Sequence, residues 1–207
     1  QGAVSAARAI AAPAALVYCR ATLQMDRFLS AARPREREEV FVRSVDVKAY
    51  WERNAPSWIE LSRAGYDGYR DGLNTPAFLE MLPEVNGLDG VDLGCGEGSN
   101  TRLLAQRGAR MSAIDIAHSF TRAARAGEEE DPLGISYLTG DAAALPFPAA
   151  RFDFAVAFMS FMDLPNQEQA LAEAHRARTA TGVFQFSILH PRFAPPQRKT
   201  VRDEHGE

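Results

Sequence analysis

The sequence has few cysteines and histidines. Its 207 residues include two cysteines, Cys19 and Cys95, and four histidines. Two cysteines cannot form the disulfide framework of a small secreted domain, so reduced thiols and a cytoplasmic location are expected. The histidines show no spacing with acids or cysteines that is typical of a metal site, and we expect metal-free chemistry.

Long apolar runs and an excess of positive charge are also absent. Because no run of about 18 apolar residues occurs, no membrane span is expected. The formal net charge is −4 and the isoelectric point is near 5.7. Since no basic stripe is available to neutralise phosphates, nucleic acid is not an expected partner.

The most informative segment is residues 91–98, which read VDLGCGEG. A short apolar run ends in Asp92, and Gly94, Gly96 and Gly98 follow at alternate positions before a predicted helix. A strand that enters a glycine turn lets a ligand approach the backbone where a Cβ would collide. The spacing differs from the G-x-G-x-x-G that holds a dinucleotide pyrophosphate, so the turn suits a ligand that lies across it.

Strands and helices alternate after this loop. Residues 110–116, 135–141, 152–158 and 182–189 read as further short strands, with helices predicted between them at 99–107, 118–126 and 167–178. Alternation of this kind predicts an α/β fold with a doubly wound, mainly parallel sheet. Asp115 ends the second strand about 20 residues after the first glycine, where an acid binds ribose hydroxyls in nucleotide-binding β-α-β units.

The first part of the chain reads as helical. Helix is favoured over residues 3–30, and the stretches 48–61 and 75–82 predict helices on either side of a glycine-rich aromatic loop. The alanine-rich start without acids also fits a transit peptide, although a helical or disordered leader is preferred. We divide the chain into a leader (1–47), a helical lid (48–87), a ligand-binding core (88–191) and a polar tail (192–207).

The motifs together resemble a known family. VDLGCGEG, AIDIA, TGDAAALPF and RFDFAVAF occur in this order between residues 91 and 158. In these motifs the chain resembles class I, Rossmann-like S-adenosylmethionine-dependent methyltransferases, of the bacterial small-molecule type related to the ubiquinone and menaquinone enzymes. The resemblance covers residues 50–191. It implies S-adenosylmethionine as the cofactor and methyl transfer to an oxygen, nitrogen or carbon of a small-molecule acceptor, which the sequence does not identify.

The resemblance also implies roles for individual residues. The glycine loop faces the methionine part of the cofactor, Asp92 orients that loop, Asp115 binds the ribose, and Asp141 with Ala142 binds the adenine. Ile116 and Leu145 flank the adenine. The expected cofactor contacts are Asp92, Gly94, Cys95, Gly96, Gly98, Asp115, Ile116, Asp141, Ala142 and Phe158. Asp115 and Asp141 could instead be helix caps, and Glu97 is interpreted as a solvated loop acid.

The acceptor is expected near residues 158–163 and at the end of the fifth strand. His190 follows that strand and is a candidate general base, with turn capping as the alternative role. Lid aromatics could enclose the sulfonium through cation–π attraction; they are Tyr50, Trp51, Trp58, Tyr66 and Tyr69. Arg63 or Arg70 could pair with the cofactor carboxylate.

Two departures from the family pattern affect the expected fold. Relatives end in an antiparallel strand pair that residues 191–207 are too short to supply, so the fifth strand is expected to have an uncovered edge. Such an edge favours association, which leaves a homodimer open. RARTATG, from Arg176 to Gly182, replaces the usual basic-Pro-Gly-Gly turn and predicts looser packing. A non-catalytic S-adenosylmethionine-binding protein or an inactive fragment is therefore an alternative, and a nicotinamide-dependent oxidoreductase is a weaker one.

Overall fold

The computed structural model describes residues 16–21, for which only the backbone is considered, and residues 44–189. A 6-stranded sheet carries five α-helices in these ranges, and no helix described there is long and apolar enough to cross a membrane. The strands are β1 (Leu16–Ala21), β2 (Asp89–Leu93), β3 (Arg110–Asp115), β4 (Ser136–Thr139), β5 (Phe152–Phe158) and β6 (Arg178–Leu189). The helices are α1 (Ser44–Arg63), α2 (Thr75–Met81), α3 (Ser99–Gln106), α4 (His118–Glu130) and α5 (Gln167–Ala177).

The sheet has the order β1-β6-β5-β2-β3-β4, and the strands from β2 to β6 are parallel. The central strand β5 is buried along its length apart from Asp153, as its apolar sequence predicts for a strand covered on both faces. The chain builds β3 and β4 on one side of β2 and then crosses to β5 on the other. The carboxyl ends of β2 and β5 therefore meet where the winding changes direction, which is where open α/β sheets bind ligands.

The N-terminal region contributes a strand where helix was expected. β1 pairs antiparallel with β6, from Leu16 opposite Leu189 to Ala21 opposite Phe184. The local preference for helix is overridden because the edge of β6 offers a full row of unpaired backbone groups. The expectation of an uncovered edge on this last strand is thus wrong. Residues 44–47 of the predicted leader belong to α1, and residues 1–15 and 22–43 lie outside the described residues. No strand follows β6 within the described residues.

Residues 178–182, predicted as a turn before the last strand, form the first part of β6. β6 begins at Arg178, four residues before the expected start, and its register against β5 shifts at this point. Arg178 is buried, and its guanidinium donates to the carbonyl oxygens of Thr179, Ala180 and Gly182 at 3.0, 3.4 and 3.2 Å. One arginine therefore holds a turn that in relatives depends on proline and glycine.

Helix α1 packs across the carboxyl end of the sheet. It places Trp51, Ala55 and Ile59 against Ala117 and Phe120. The carboxylate of Glu52, also on α1, accepts the Ser119 hydroxyl at 2.5 Å. A short π-helical turn, Arg70–Asn74, then leads into α2. The lid region predicted for residues 48–87 thus contains most of α1, the π-helical turn and α2, and α1 is docked on α4.

Candidate active site

A cavity of about 740 Å³ opens at the carboxyl ends of β2, β3 and β5. Its floor comes from the loops that follow these strands, and its roof comes from α1 and the segment after it. One end, here called the loop end, is lined by the glycine loop and the acids after β3 and β4. The other, the turn end, is lined by residues 159–165 (except Phe161) and by Leu189.

The three glycines of the loop all have left-handed backbone angles, but for different reasons. The φ angles are +76° at Gly94, +56° at Gly96 and +90° at Gly98. A Cβ on Gly94 would lie 2.5 Å from the Cβ of Ser160, and one on Gly98 would lie 2.6 Å from the Tyr137 hydroxyl. A Cβ on Gly96 would meet nothing within 4 Å. Gly94 and Gly96 line the cavity, whereas Gly98 serves the packing of the loop and is not among the lining residues.

Asp115 ties the glycine loop to the next strand. One carboxylate oxygen accepts the Gly96 N–H at 2.9 Å, and the other accepts the Ala117 N–H at 2.9 Å. The side chain lines the cavity while being mostly buried, and this desolvation raises its pKa to about 6. Asp115 therefore combines the expected cap-like contact at the start of α4 with a position on the ligand side.

Asp92 is the most deeply buried acid of the cavity lining, with 1% of its surface exposed. Its Oδ2 accepts the Thr101 hydroxyl at 2.6 Å, while its Oδ1 has no hydrogen-bond partner among the described residues. Burial raises the pKa of this carboxyl to about 7. A buried carboxylate oxygen without a donor is costly, so the site is suited to a ligand that brings one.

The remaining expected contacts of the loop end also line the cavity: Cys95, Ile116, Asp141, Ala142 and Phe158. Asp141 accepts the Ala143 N–H at 2.8 Å, so it caps its turn as well. Cys95 is a buried free thiol, and burial raises its pKa. Leu145, expected beside the adenine, is buried but is not part of the lining.

The turn end is built from the segment after β5. Met159 has a φ of +53°, an uncommon conformation for a residue with a side chain, and its N–H donates to the Ser187 hydroxyl at 3.1 Å. The Ser160 hydroxyl donates to the Leu93 carbonyl at 2.5 Å, which connects this turn to the glycine loop. Phe161 points away from the cavity and stacks on Phe186 with 4.8 Å between ring centroids.

The lid contributes three aromatic side chains to the cavity, those of Trp51, Trp58 and Tyr69. Tyr50 and Tyr66 are exposed and are not lining residues. Arg70 lines the cavity, whereas Arg63 donates to the Ala123 carbonyl at 3.1 Å on the outside. Candidate base His190 lies outside the described residues, directly after the lining residue Leu189.

One important residue was misjudged from the sequence. Glu97 was interpreted as a solvated loop acid, but it is buried in the cavity wall. Its Oε1 accepts the hydroxyls of Ser62 and Ser99 at 2.5 and 2.7 Å and an Arg70 N–H at 3.3 Å. No local signal indicated this, because the partners Ser62 and Arg70 come from the distant lid.

The comparisons with known proteins agree with this geometry. A family model described as a methyltransferase domain matches residues 91–186. The malonyl-[acyl-carrier protein] O-methyltransferase of Serratia marcescens is 32% identical over 99 residues, which cover 48% of this chain and 37% of that protein. The demethylmenaquinone methyltransferase of Thermus thermophilus is 32% identical over 110 residues, which cover 52% of this chain and 48% of that protein.

A solved structure agrees with the sequence relatives. The crystal structure of an S-adenosylmethionine-dependent methyltransferase from Mesorhizobium loti is 33% identical, with a TM-score of 0.55, and the match covers 64% of this chain and 60% of that one. The matched part of this chain spans less than half of the two curated relatives. Over residues 91–186, the family model, the relatives and the fold show a methyltransferase domain that is similar to class I, Rossmann-like S-adenosylmethionine-dependent methyltransferases.

Proposed function

We propose that this protein transfers a methyl group from S-adenosylmethionine to a small-molecule acceptor bound at the turn end of the cavity. The observation that carries the proposal is the unpartnered Oδ1 of Asp92 in the wall of the cavity. Beside it, Gly96 leaves open space for a ligand against its backbone. A cationic ligand with hydrogen-bond donors and a flat body that lies on the loop satisfies both features.

The charges in the cavity wall support the same ligand. Six acids line it, whereas Arg70 is the one lysine or arginine among the described lining residues. The acids are Asp67, Asp92, Glu97, Asp115, Asp141 and Asp163. Walls of one sign in a low-dielectric cleft attract the opposite charge. S-adenosylmethionine carries a sulfonium and an ammonium, so the excess of acids favours its binding.

In this proposal, different residues of the loop end bind different parts of the cofactor. Asp92 and the backbone of Gly94 to Gly96 hold the methionine part, Asp115 accepts hydrogen bonds from the ribose hydroxyls, and Asp141 with the Ala142 N–H binds the adenine. Ile116 and Phe158 supply apolar surface. These are the residues that the motifs predict, and each lines the cavity.

The protein contributes mainly orientation and exclusion of water. When bound, the sulfonium cofactor supplies both the reactive methyl group and its leaving group. Trp51, Trp58 and Tyr69 line the roof of the cavity, and in this proposal they shield a bound cofactor from part of the solvent. Met159 and Ser160, fixed by their hydrogen bonds to Ser187 and Leu93, set the boundary against which the acceptor is placed. Correct placement of two reactants accounts for a large part of such a rate enhancement.

The acceptor is assigned here only by class. The Serratia relative is named for a malonyl-[acyl-carrier protein] substrate and the Thermus relative for demethylmenaquinone. What they have in common is methyl transfer to a metabolite, and we extend only this to the present protein. His190, which follows Leu189 in the sequence, is the proposed general base for an acceptor that loses a proton. A cytoplasmic location belongs to the same proposal, because Cys95 is a free thiol.

Calorimetric titration with S-adenosylmethionine and S-adenosylhomocysteine tests the proposal. The wild type should bind both. Asp115→Ala removes a charged acceptor of ribose hydrogen bonds and should weaken affinity by about 1.5–3 kcal/mol. Asp131→Ala is the matched control, because Asp131 pairs with Arg102 outside the cavity. Wild-type affinity in Asp115→Ala would refute the assigned site, and binding without turnover on any acceptor would favour a non-catalytic protein.

A further inference from the structure

The lid and the glycine loop are joined by a buried polar cluster, which we call the lid clasp: Ser62, Arg70 and Glu97. Ser62 lies near the end of α1, Arg70 begins the π-helical turn, and Glu97 stands between Gly96 and Gly98. Ser62 is 5% exposed and Glu97 is 8% exposed. The cluster therefore holds together two parts of the chain that both line the proposed cofactor site.

Glu97 is the shared acceptor of the clasp. Its Oε1 receives the Ser62 hydroxyl at 2.5 Å and an Arg70 N–H at 3.3 Å, both from the lid. The same oxygen receives the Ser99 hydroxyl at 2.7 Å from the start of α3. Hydrogen bonds to a charged, buried acceptor are stronger than those between neutral groups. A single carboxylate thus connects α1, the π-helical turn and α3.

Arg70 is fully occupied by this arrangement. A guanidinium has five N–H donors. The Arg70 Nε donates to Asp71, Nη1 donates to the Ser62 hydroxyl and to Glu97, and Nη2 donates to the Ser62 carbonyl and to Asp71. Arg70 therefore has no donor left for the carboxylate of the cofactor, although the sequence suggested that Arg70 could pair with this group. Its role is to hold the lid.

The clasp joins the end of α1 to the glycine loop, and the Arg63 side chain, which donates to the Ala123 carbonyl at 3.1 Å, joins the same end to α4. Glu52 and Trp51, in the first half of the helix, bind Ser119 and pack on Phe120 of α4. The chain after Arg63 passes through Gly65, at a φ of +74°, to the exposed Tyr66. Without the clasp, the C-terminal turn of α1 and residues 64–70 would have few contacts with the core.

We propose that Glu97 is a positioning residue that holds the lid closed over the loop end, so that the cofactor enters and leaves only when the clasp opens. The proposal rests on the proposed function for the identity of the ligand. The closed clasp places Tyr69, Trp58 and Arg70 over the site. Opening it moves these residues away from the loop end while α1 stays anchored through Glu52.

Ser62→Ala is the decisive variant, because Ser62 is not a lining residue and can affect the ligand only through the clasp. The variant loses the hydrogen bond that the hydroxyl donates to Glu97 and the one that it accepts from Arg70. Stopped-flow measurement of S-adenosylhomocysteine dissociation should therefore show release at least tenfold faster than in the wild type, since one lost charge-assisted hydrogen bond alone accounts for about tenfold. Glu97→Gln should show at least the same change. In the double variant the two effects should combine less than additively, since the residues share one interaction. Glu60→Gln is the control, on an exposed position of α1.

Hydrogen exchange of the ligand-free protein tests the clasp independently of any ligand. Amides of residues 60–70 should exchange faster in Ser62→Ala and in Glu97→Ala than in the wild type, while those of residues 48–56 should not change. Unchanged exchange in both variants would overturn the proposal, as would an unchanged dissociation rate in Ser62→Ala. If the wild type does not bind S-adenosylhomocysteine, the proposed function fails. The clasp is a separate question, and it is rejected only if hydrogen exchange is unchanged in both variants.

Discussion

The two ends of the cavity are built in different ways. At the loop end, consecutive residues after one strand provide the backbone surface, and acids after the neighbouring strands fix it. Asp115, the last residue of β3, accepts the N–H of Gly96 in the loop after β2. The pairing of β2 with β3 therefore fixes the position of this loop. At the turn end, the wall comes from one short turn and the last residue of β6, and the side chains there are mainly apolar.

In the proposed function, the loop end binds the cofactor and the turn end binds the acceptor. The loop end meets a ligand that is the same in every reaction, so its shape is fixed by backbone and buried charge. In the proposed function the turn end meets the acceptor, and the apolar side chains of Met162, Leu164 and Leu189 line it. We therefore expect changes at the loop end to affect cofactor binding and changes at the turn end to affect turnover.

The largest expected effect is at the loop end. Gly96→Val should abolish cofactor binding, because its side chain would occupy the open space that the ligand needs. A residue with a Cβ is also strained in the left-handed conformation of this position, so the variant should have a free energy of unfolding lower by about 1–2 kcal/mol. Gly94→Ala is the comparison: its Cβ meets Ser160 at 2.5 Å, so its main effect should be on thermal stability. If both variants lost the same cofactor affinity and the same thermal stability, Gly96 would not differ from Gly94 in leaving space for the ligand.

The next expected effect concerns the proposed base: His190→Ala should lower turnover on the true acceptor by about 10²–10⁴-fold, the usual contribution of a positioned base. Wild-type turnover should rise with pH through an apparent pKa near 6.5, the ordinary value of histidine. Calorimetry should find cofactor affinity nearly unchanged. Normal turnover in the variant would show that His190 is not a base and would leave turn capping as its role. Catalysis would then depend on the orientation of the two reactants alone.

A further expected effect is on the pH dependence of stability at the loop end. Burial raises the pKa values of Asp92 and Asp115 to about 7 and about 6, well above that of an unfolded aspartate. The folded protein then binds more protons than the unfolded chain between pH 4 and 7, so stability falls as the pH rises through this window. Each unit of such a shift corresponds to about 1.4 kcal/mol.

Thermal unfolding of the ligand-free protein should therefore occur at a higher temperature at pH 5 than at pH 8. Cofactor affinity should change in the opposite direction, because the cationic ligand favours the ionised acids. Asp92→Asn should reduce the slope of the stability profile while keeping an acceptor for Thr101. A flat wild-type profile would show that these acids remain solvated.

The sequence predicted the loop end well because its information is local. Asp92, the glycines and Asp115 occur at fixed distances along consecutive strands, and the periodic apolar runs place those strands in one sheet. The strand β5 was predicted with the bounds that the structure shows. Glu97 and Arg178 were not predicted, because each owes its burial to partners that only the tertiary fold brings near. The strand at Leu16–Ala21 was missed for the same reason: its alanine-rich surroundings favour helix, and only the edge of β6 makes a strand there.

The pairing of β1 with β6 has a consequence for the order of folding. Leu16 lies opposite Leu189, so this ladder joins two segments separated by most of the chain. Contacts between such distant segments form late, because the entropy of closing a long loop must be overcome before they gain any energy. During synthesis on a ribosome, β6 emerges after the other strands that the structure describes, and β1 must wait for it. The parallel sheet from β2 to β5 is then the natural folding nucleus, and the N-terminal strand completes the sheet last.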